Sequence, residues 1–276
     1  MGEHWYGVTV EGAVVPVYSI TAKSSGKPRG VRITDVRKTD KYGMNVYFEG
    51  QLHRVDRLLP SVTTITNILA KPGLERWKLN KALEAAFETP AKVGQTFFQY
   101  AKQVQDDAYS TTSDAASFGT RVHKALEDAL KADGLDSLSK QPMELRPFIE
   151  PALKYIAKEG YYDFQNEVAL ANPTLGYAGL ADCVCKSRSG KTILIDFKTK
   201  RTVPDKPIFL SDEYKMQLAA YGHIVCKGDW DSLEAYNIYI SSSEVGRVEI
   251  VENTGLEQAY KAFGGLVEAF KYVRKL

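Results

Sequence analysis

The segment YAGLADCVCKSRSGKTILIDFKTK, residues 177–200, decides the fold. Two apolar runs flank the polar stretch 187–190, which is the pattern of a β-hairpin. A three-residue loop at 188–190, with Gly190 in the left-handed conformation, is a common connection of this kind. Because the loop fixes which residues lie opposite one another, the sequence predicts that Asp182 faces Asp196 on the neighbouring strand.

Alternation of side chains along a strand divides this hairpin into two faces. Asp182, Asp196 and Lys198 share one face, and an apolar set shares the other: Cys183, Cys185, Ile193, Ile195 and Phe197. Two opposed carboxylates repel one another unless a cation lies between them. The pattern indicates a divalent-metal site beside a lysine, and the alternative is two exposed acids on an ordinary strand. The surrounding elements decide between these interpretations.

Composition and charge place the chain among ordinary globular proteins. The 276 residues are 44% hydrophobic and 25% charged, with a formal net charge of +2, so a nucleic-acid surface would have to be a local patch. Three cysteines without metal-site spacing favour buried, reduced thiols. No run is long and apolar enough to span a membrane, and no signal peptide is evident. We therefore expect an intracellular, cytoplasmic protein without membrane contact.

Apolar periodicity divides the chain into three regions. Residues 1–58 form a β-rich extension with two hairpins, joined by a polar, basic stretch over 23–43 that is either a solvated loop or an arm for phosphates. Residues 59–160 are mostly helical, with a helix over about 91–106 and a separate one capped by Ser113. Residues 161–276 alternate strands and helices. The predicted class is α/β, with a mixed sheet flanked by helices.

Several polar side chains surround the hairpin. Gly119, His123 and Glu127 are spaced four apart and share one helix face, and a glycine there permits close approach of the helix to a site. Gln217 and Tyr221 have the same spacing on the helix after Lys198, where a surface pair is the simpler interpretation. This set of three, the pair on the later helix and the strand residue Glu167 are candidate site residues, although each alone is more often structural.

The ordered set G-x-x-x-H, E, G-L-A-D, I-D-F-K-T-K and Q-x-x-x-Y resembles the PD-(D/E)xK nuclease superfamily in its RecB-like exonuclease branch. The upstream PSVTTI followed by a tryptophan is similar to mitochondrial genome maintenance exonucleases and their phage relatives. The resemblance covers about 59–222. Ala181 stands where the superfamily name has proline, and the cysteines do not match the iron–sulfur layout of some relatives, so we expect no such cluster.

The resemblance implies a role for each matched residue. His123, Asp182, Asp196 and the backbone carbonyl of Phe197 would hold Mg²⁺ or Mn²⁺. Lys198 would orient or deprotonate the attacking water, with Gln217 and Tyr221 positioning the phosphate or the lysine and Glu167 as a further candidate. The helical region 59–160 would form an arch over a restriction-endonuclease-like core at 161–276. Aromatic residues on that arch, such as Phe97, Phe98, Tyr100 and Tyr109, could stack on bases, although most would be core.

The implied activity is metal-dependent hydrolysis of DNA from single-stranded ends, in a context such as DNA repair or recombination. Two alternatives remain open. One is an endonuclease of the same superfamily acting on duplex or branched DNA. The other is a nucleic-acid-binding module whose nuclease fold has lost catalysis, which an intact set of Asp182, Asp196, Lys198 and His123 disfavours. A covered channel would favour the exonuclease and an open groove the endonuclease.

Overall fold

A computed structural model describes residues 4–17, 20–21, 28–29, 31, 33–48, 50–208 and 211–276. Within these residues the chain begins with strands and one helix: β1 (Trp5–Thr9), β2 (Val14–Val17), β3 (Ile20–Thr21), β4 (Pro28–Arg29), α1 (Ile33–Tyr42), β5 (Met44–Phe48) and β6 (Gln51–Pro60). An antiparallel sheet forms in the order β2-β1-β6-β5. Both hairpins expected in this region, β1–β2 and β5–β6, are present.

The polar stretch over 23–43 differs from the expected loop, because part of it forms α1. Val36 and Thr39 are buried on this helix, which packs against β6. Because the helix has few apolar residues, its sequence shows little helical periodicity. Packing against β6 is therefore what stabilises α1. Residues 22–27, 30 and 32, which belong to the stretch or border it, lie outside the described part of the chain.

A helical region follows, as expected, and it comprises α2 (Val62–Thr66), α3 (Pro72–Glu88), α4 (Phe97–Lys131) and α5 (Arg146–Glu159). The expected break between two helices near Ser113 is wrong, since α4 is one continuous helix of 35 residues. Its N-cap is Thr96, which forms a capping box with Gln99. The Ser/Thr-rich run that suggested a cap contains no glycine or proline, so nothing in it obliges the helix to end.

The rest of the chain forms the central sheet and its remaining helices: β7 (Tyr162–Asn172), β8 (Tyr177–Lys186), β9 (Thr192–Lys200), α6 (Asp212–Val225), β10 (Leu233–Ser241), β11 (Val248–Glu252) and α7 (Leu256–Arg274). The strand order is β11-β10-β9-β8-β7. Only β9 and β10 pair in parallel, through the crossover helix α6, and the other pairs in this sheet are antiparallel.

Helices cover both faces of the central sheet. On one face, side chains of α4 and α5 such as Leu126 and Ile149 join Ile195 in a buried cluster. On the other face, Leu218 of α6 and Phe263 of α7 lie in a second cluster, which also contains Trp5 of the N-terminal sheet. The predicted α/β class, with a mixed sheet flanked by helices, is confirmed. The N-terminal extension shares a core with this sheet.

Among the described helices, none combines the length and the apolar character that crossing a membrane requires.

Candidate active site

The turn between β8 and β9 has the expected form. The amide of Ser187 donates to the carbonyl of Lys191 at 3.0 Å, which closes a loop over 188–190, and Gly190 has φ +85°. Strand pairing runs from Lys186 opposite Thr192 to Cys183 opposite Ile195. Continued by one residue, this register sets Asp182 opposite Asp196, as the sequence predicts.

Asp182 lies where β8 and β9 stop pairing. Its Oδ2 accepts a hydrogen bond from the backbone amide of Phe197 at 2.8 Å. The side-chain carboxylate is thus the acceptor for an amide that could otherwise donate to the backbone of a neighbouring strand. The same Oδ2 lies 3.6 Å from Nδ1 of His123 on α4. The rings of His123 and Phe197 are nearly perpendicular, with centroids 6.3 Å apart. Asp182 therefore connects β9 to the helix above it.

Asp196 is buried and engaged on both oxygens. Lys198 Nζ donates to its Oδ1 at 2.5 Å, and Asn237 Nδ2 on β10 donates to its Oδ2 at 2.7 Å. Asn253 Nδ2 in turn donates to Oδ1 of Asn237 at 3.1 Å. The pairing of β9 with β10 sets Asn237 directly beside Asp196. This chain of hydrogen bonds orients the carboxylate and the lysine together.

Burial and the charges of neighbouring side chains shift the pKa values of Asp196 and Lys198. Burial raises the pKa of Asp196 to about 6, with the Lys198 ammonium acting in the opposite direction and the Asp182 charge raising it further. Burial alone would lower the pKa of Lys198, but the charges of Asp196 and Asp182 outweigh it and raise that pKa above its ordinary value. The lysine is therefore charged at neutral pH and lies beside two acidic side chains.

A cleft of about 430 Å³ lies between α4, β7 and the end of β9. Gly119, His123 and Glu127 line it from one face of α4, as their spacing predicts, together with Glu167 and Thr199. A β-carbon at position 119 would lie 2.7 Å from Oγ1 of Thr199. The glycine thus lets α4 approach β9 closely enough to place His123 beside Asp182.

Glu167 on β7 enters the cleft from a strained backbone. Its φ is +51°, which is uncommon for a residue with a side chain. The flanking pairs, Asn166 with Cys183 and Val168 with Ala181, set it across from Asp182. Burial, with added repulsion from Asp182 and Glu127, raises the pKa of Glu167. The structure therefore brings Glu167 and His123 together at the cleft, and Asp182 lies next to both without being among the residues that line it.

Gln217 and Tyr221 on α6 lie behind the sheet and are almost wholly buried. Burial raises the pKa of Tyr221 well above its usual value, and the nearby Gln217 side chain acts in the opposite direction. A β-carbon at Gly179, in the GLAD segment of β8, would lie 2.4 Å from the Tyr221 hydroxyl. The pair supports β8 three residues before Asp182, and neither residue lines the cleft.

The donor chemistry at the site suits a hard divalent cation, but the donors do not converge. Within the described part of the chain, no three His, Cys, Asp or Glu side chains are arranged to hold a metal ion. Asp182 and His123 are adjacent, whereas Asp196 is engaged with Lys198 and Asn237. The role of the Phe197 carbonyl stays a prediction.

The hairpin of α3 and the first part of α4 is anchored on both sides of the end of β9. On one side, Lys71 Nζ at the start of α3 lies 2.6 Å from Oε2 of Glu213 in the first turn of α6. On the other side, α4 contacts Thr199 through Gly119. Phe97 and Phe98 near the start of α4 are exposed and contact each other, so these two aromatics are not core residues.

Two residues near the acids were not singled out from the sequence. Asn237 is buried within the apolar strand AYNIYIS. The sequence signal that could have identified it is a single amide side chain in an otherwise apolar run. Tyr214 covers Lys198, whose Nζ lies 5.0 Å from the ring centroid. Nothing in its sequence context distinguishes Tyr214 from an ordinary helix residue, because its contact depends on the α6 crossover.

The similarity of this chain to known proteins is weak. No family model matches the chain, and no curated protein matches it. Similar solved structures include a protein named SSO0001, at 15% identity and a TM-score of 0.30, covering 72% of this chain and 86% of that one. Another, described as a "putative exonuclease" from Eubacterium rectale, has 15% identity and a TM-score of 0.36, covering 75% of this chain and 86% of that one.

Proposed function

We propose that this chain is a nuclease that hydrolyses phosphodiester bonds of DNA with Mg²⁺ or Mn²⁺, beginning at the ends of a single strand. The observation that carries the proposal is the buried pair of Asp196 and Lys198, which lies beside Asp182. Nδ1 of His123 lies 3.6 Å from Oδ2 of Asp182. Two carboxylates with one lysine between neighbouring strands form an electrostatically costly arrangement. A bound cation would offset that cost.

Each side chain has a role in this proposal. Asp182, Asp196 and His123 would hold the cation, which when bound activates water and stabilises charge in an in-line displacement. The Lys198 ammonium, oriented by Asp196, would donate to the phosphate or to the attacking water. Gln217 and Tyr221 would act indirectly by fixing the position of β8. Glu167, with its raised pKa, would accept a proton or bind the cation at the mouth of the cleft.

The two anchors of the α3–α4 hairpin support action at free ends. At the start of α3, Lys71 pairs with Glu213 on one side of β9. On the other side, Gly119 of α4 lies against Thr199. A strand that reaches Lys198 would therefore pass between these anchors, which a free end can do by threading.

A catalytically inactive DNA-binding module is the second candidate. It is favoured by the hydrogen bonds that hold Asp196 to Lys198 and Asn237 instead of leaving it open for a cation.

A cleavage time course tests these proposals. Purified protein with Mn²⁺ or Mg²⁺ is incubated with an end-labelled linear single strand and with a covalently closed circle of the same sequence. We expect the linear strand to shorten, the circle to survive, and Lys198→Ala to be inactive. Lys198→Met, which preserves more of the side-chain packing, separates loss of chemistry from loss of folding. Lys191→Ala, at the opposite end of β9, is the control and should be fully active.

Each other outcome selects an alternative. Cleavage of the circle would replace the end-dependent reaction with an endonuclease. Binding of the strand without cleavage in either metal would leave the inactive module.

A further inference from the structure

A second cavity, of about 410 Å³, lies where the end of α4 meets α5 and the start of β7. Pockets that bind small ligands have volumes of roughly 300–1,000 Å³. The cavity continues the groove of the candidate active site along α4 and β7. Leu130 in this cavity is three residues beyond Glu127 in the first cleft, and Phe164 is three residues before Glu167. The described residues that line the two cavities are different ones.

Much of the wall of this second cavity is apolar. Leu130, Leu153 and Ile156 line it and are buried, so their side chains are held in place by the core. Tyr161 and Phe164 add aromatic residues to the same wall. Removing apolar surface from water is favourable, so a wall of this kind binds the apolar part of a ligand.

The charge at this cavity is negative. Among the described residues that line it, every charged one is acidic: Asp133, Asp136 and Asp163. Lys140 pairs with Asp133 at 3.7 Å, whereas Asp136 and Asp163 form no ion pair with another described residue. Three acids and one lysine leave a net negative charge, which disfavours a phosphate chain and favours a cation.

The strand β7 is irregular where it reaches the cavity. Between Tyr162 and Gln165 its register against β8 shifts by one residue, which is a β-bulge. Asp163 in this bulge has φ +57°, a conformation uncommon for a residue with a side chain. Bulges change the direction of side chains and are frequent beside functional sites. This one supplies an acidic and an aromatic residue, Asp163 and Phe164, to the same cavity.

We propose that this cavity binds an organic cation, that is, an ammonium or guanidinium group carried on an apolar body. The apolar body packs against Leu153 and Ile156, and the cation lies against Asp136 and Asp163. Aromatic residues close to the cation add to its attraction. A free amine and a lysine or arginine side chain of another protein share this chemistry. The site does not depend on the proposed nuclease function.

Three matched compounds test the proposal by saturation-transfer NMR with the full chain. Phenethylammonium has an aromatic ring, a short chain and a positive charge. The alcohol 2-phenylethanol lacks the charge, and phenylacetate reverses it. We expect saturable binding of phenethylammonium, affinity roughly tenfold weaker for the alcohol, as for one lost charge-assisted contact, and no binding of phenylacetate.

Variants assign the binding to this cavity. Asp136→Asn with Asp163→Asn should weaken phenethylammonium binding about tenfold, and asparagine tolerates the left-handed backbone at position 163. Ala157→Leu, at an exposed residue of the wall, fills the cavity and should abolish binding of both the amine and the alcohol. Asp231→Asn removes an exposed acid elsewhere and should match the wild type. Thermal melts establish that each variant is folded.

A blocked peptide with an arginine between two leucines distinguishes the two sources of the cation. If it displaces phenethylammonium with at least tenfold higher affinity, the natural ligand is a side chain of a partner protein. Weaker displacement assigns the cavity to free amines.

Two results would overturn the proposal. One is the absence of saturable phenethylammonium binding below about 10 mM. The other is equal binding of the amine and the alcohol, with no effect of the two aspartate substitutions. Neither result bears on DNA cleavage, which uses the other cleft.

Discussion

The hydroxyl of Tyr221 on α6 rests against Gly179 of β8, with no room for a β-carbon between them. Three residues further along β8, Asp182 bonds to the amide of Phe197. A contact on the buried side of the sheet therefore helps to fix an acid of the candidate site.

Gly179→Ala should be destabilising because its new methyl group would lie 2.4 Å from the Tyr221 hydroxyl. Overpacking a core in this way costs about 1–3 kcal/mol. Adding Tyr221→Phe removes the closest atom and should recover part of that loss, although ring carbons would still lie within 3 Å. Denaturant unfolding of both single variants and the double variant measures the coupling. Strictly additive effects would contradict a direct clash.

Asp196 should make the metal-free protein less stable as pH rises. Burial and the Asp182 charge raise its pKa from 3.8 to about 6, so the folded state favours the protonated acid. This contribution is present below about pH 4 and is lost as pH rises through 6. In EDTA, the melting temperature of wild type relative to Asp196→Asn should therefore fall between pH 4 and 7. Parallel curves would contradict the assignment.

Added metal should reverse this effect at neutral pH. A cation bound to Asp182 and Asp196 stabilises the folded state by mass action. Mn²⁺ should therefore raise the melting temperature of the wild type at pH 7 and have little effect on Asp196→Asn. An equal rise in both proteins would place the cation elsewhere.

Gly119→Ala should impair activity by moving α4. Its β-carbon would lie 2.7 Å from Oγ1 of Thr199, and His123 is one turn further along the same helix. A displacement of about 1 Å at a reacting centre lowers the rate by roughly a hundredfold. Thr199→Ala removes the clashing oxygen, so the double variant should recover most of the activity measured in single-turnover assays. If the double variant is no better than Gly119→Ala, the close approach is not the cause.

Trp5 should be required for stability through its ring rather than its indole N–H. The ring is buried and contacts Phe270 on α7, but Nε1 has no hydrogen-bond acceptor among the described residues. Trp5→Ala should cost about 3–5 kcal/mol, as for other buried aromatics. Trp5→Phe loses less area and removes a buried donor without a partner, so it should cost markedly less. Denaturant midpoints compare the two variants, and equal losses would contradict this account.

Phe97 and Phe98 should contribute to DNA binding and not to folding. Both are exposed, and they lie about 39 Å along α4 from His123 at 1.5 Å per residue. Replacing both with serine should leave the melting temperature unchanged. If bases stack there, affinity for a long single strand falls by about 1–3 kcal/mol per base, whereas affinity for a strand too short to reach is unchanged. Equal affinities with the long strand would exclude the stacking role.

The sequence predicted the parts of the site that depend on local spacing. The three-residue turn at Gly190 set the register of the two acids, and the four-residue spacing set His123 and Glu127 on one helix face. Both follow from the periodicity of a single strand or helix. The class of fold followed from the order of strands and helices in the same way.

Other features depend on contacts between distant segments and left little trace in the sequence. Asn237 meets Asp196 only because β9 and β10 pair in parallel. The helix α1 forms against β6, and the strained φ of Glu167 arises where β7 pairs with β8. The hydrogen bond from Asn237 that orients Asp196 likewise joins residues 41 positions apart in the sequence.

The length of the turn at residues 188–190 determines which residues of β8 and β9 lie opposite one another at the candidate site. Surface loops usually tolerate insertions, because few contacts depend on their length. Here one added residue would slide β9 along β8 by one position and exchange its two faces. Asp196 would enter the apolar layer under α4 and Ile195 would take its place beside Asp182. An evolving lineage can therefore vary the residues at 188 and 189, whereas Gly190 is constrained by its positive φ and the length of the loop is under the same selection as the acids.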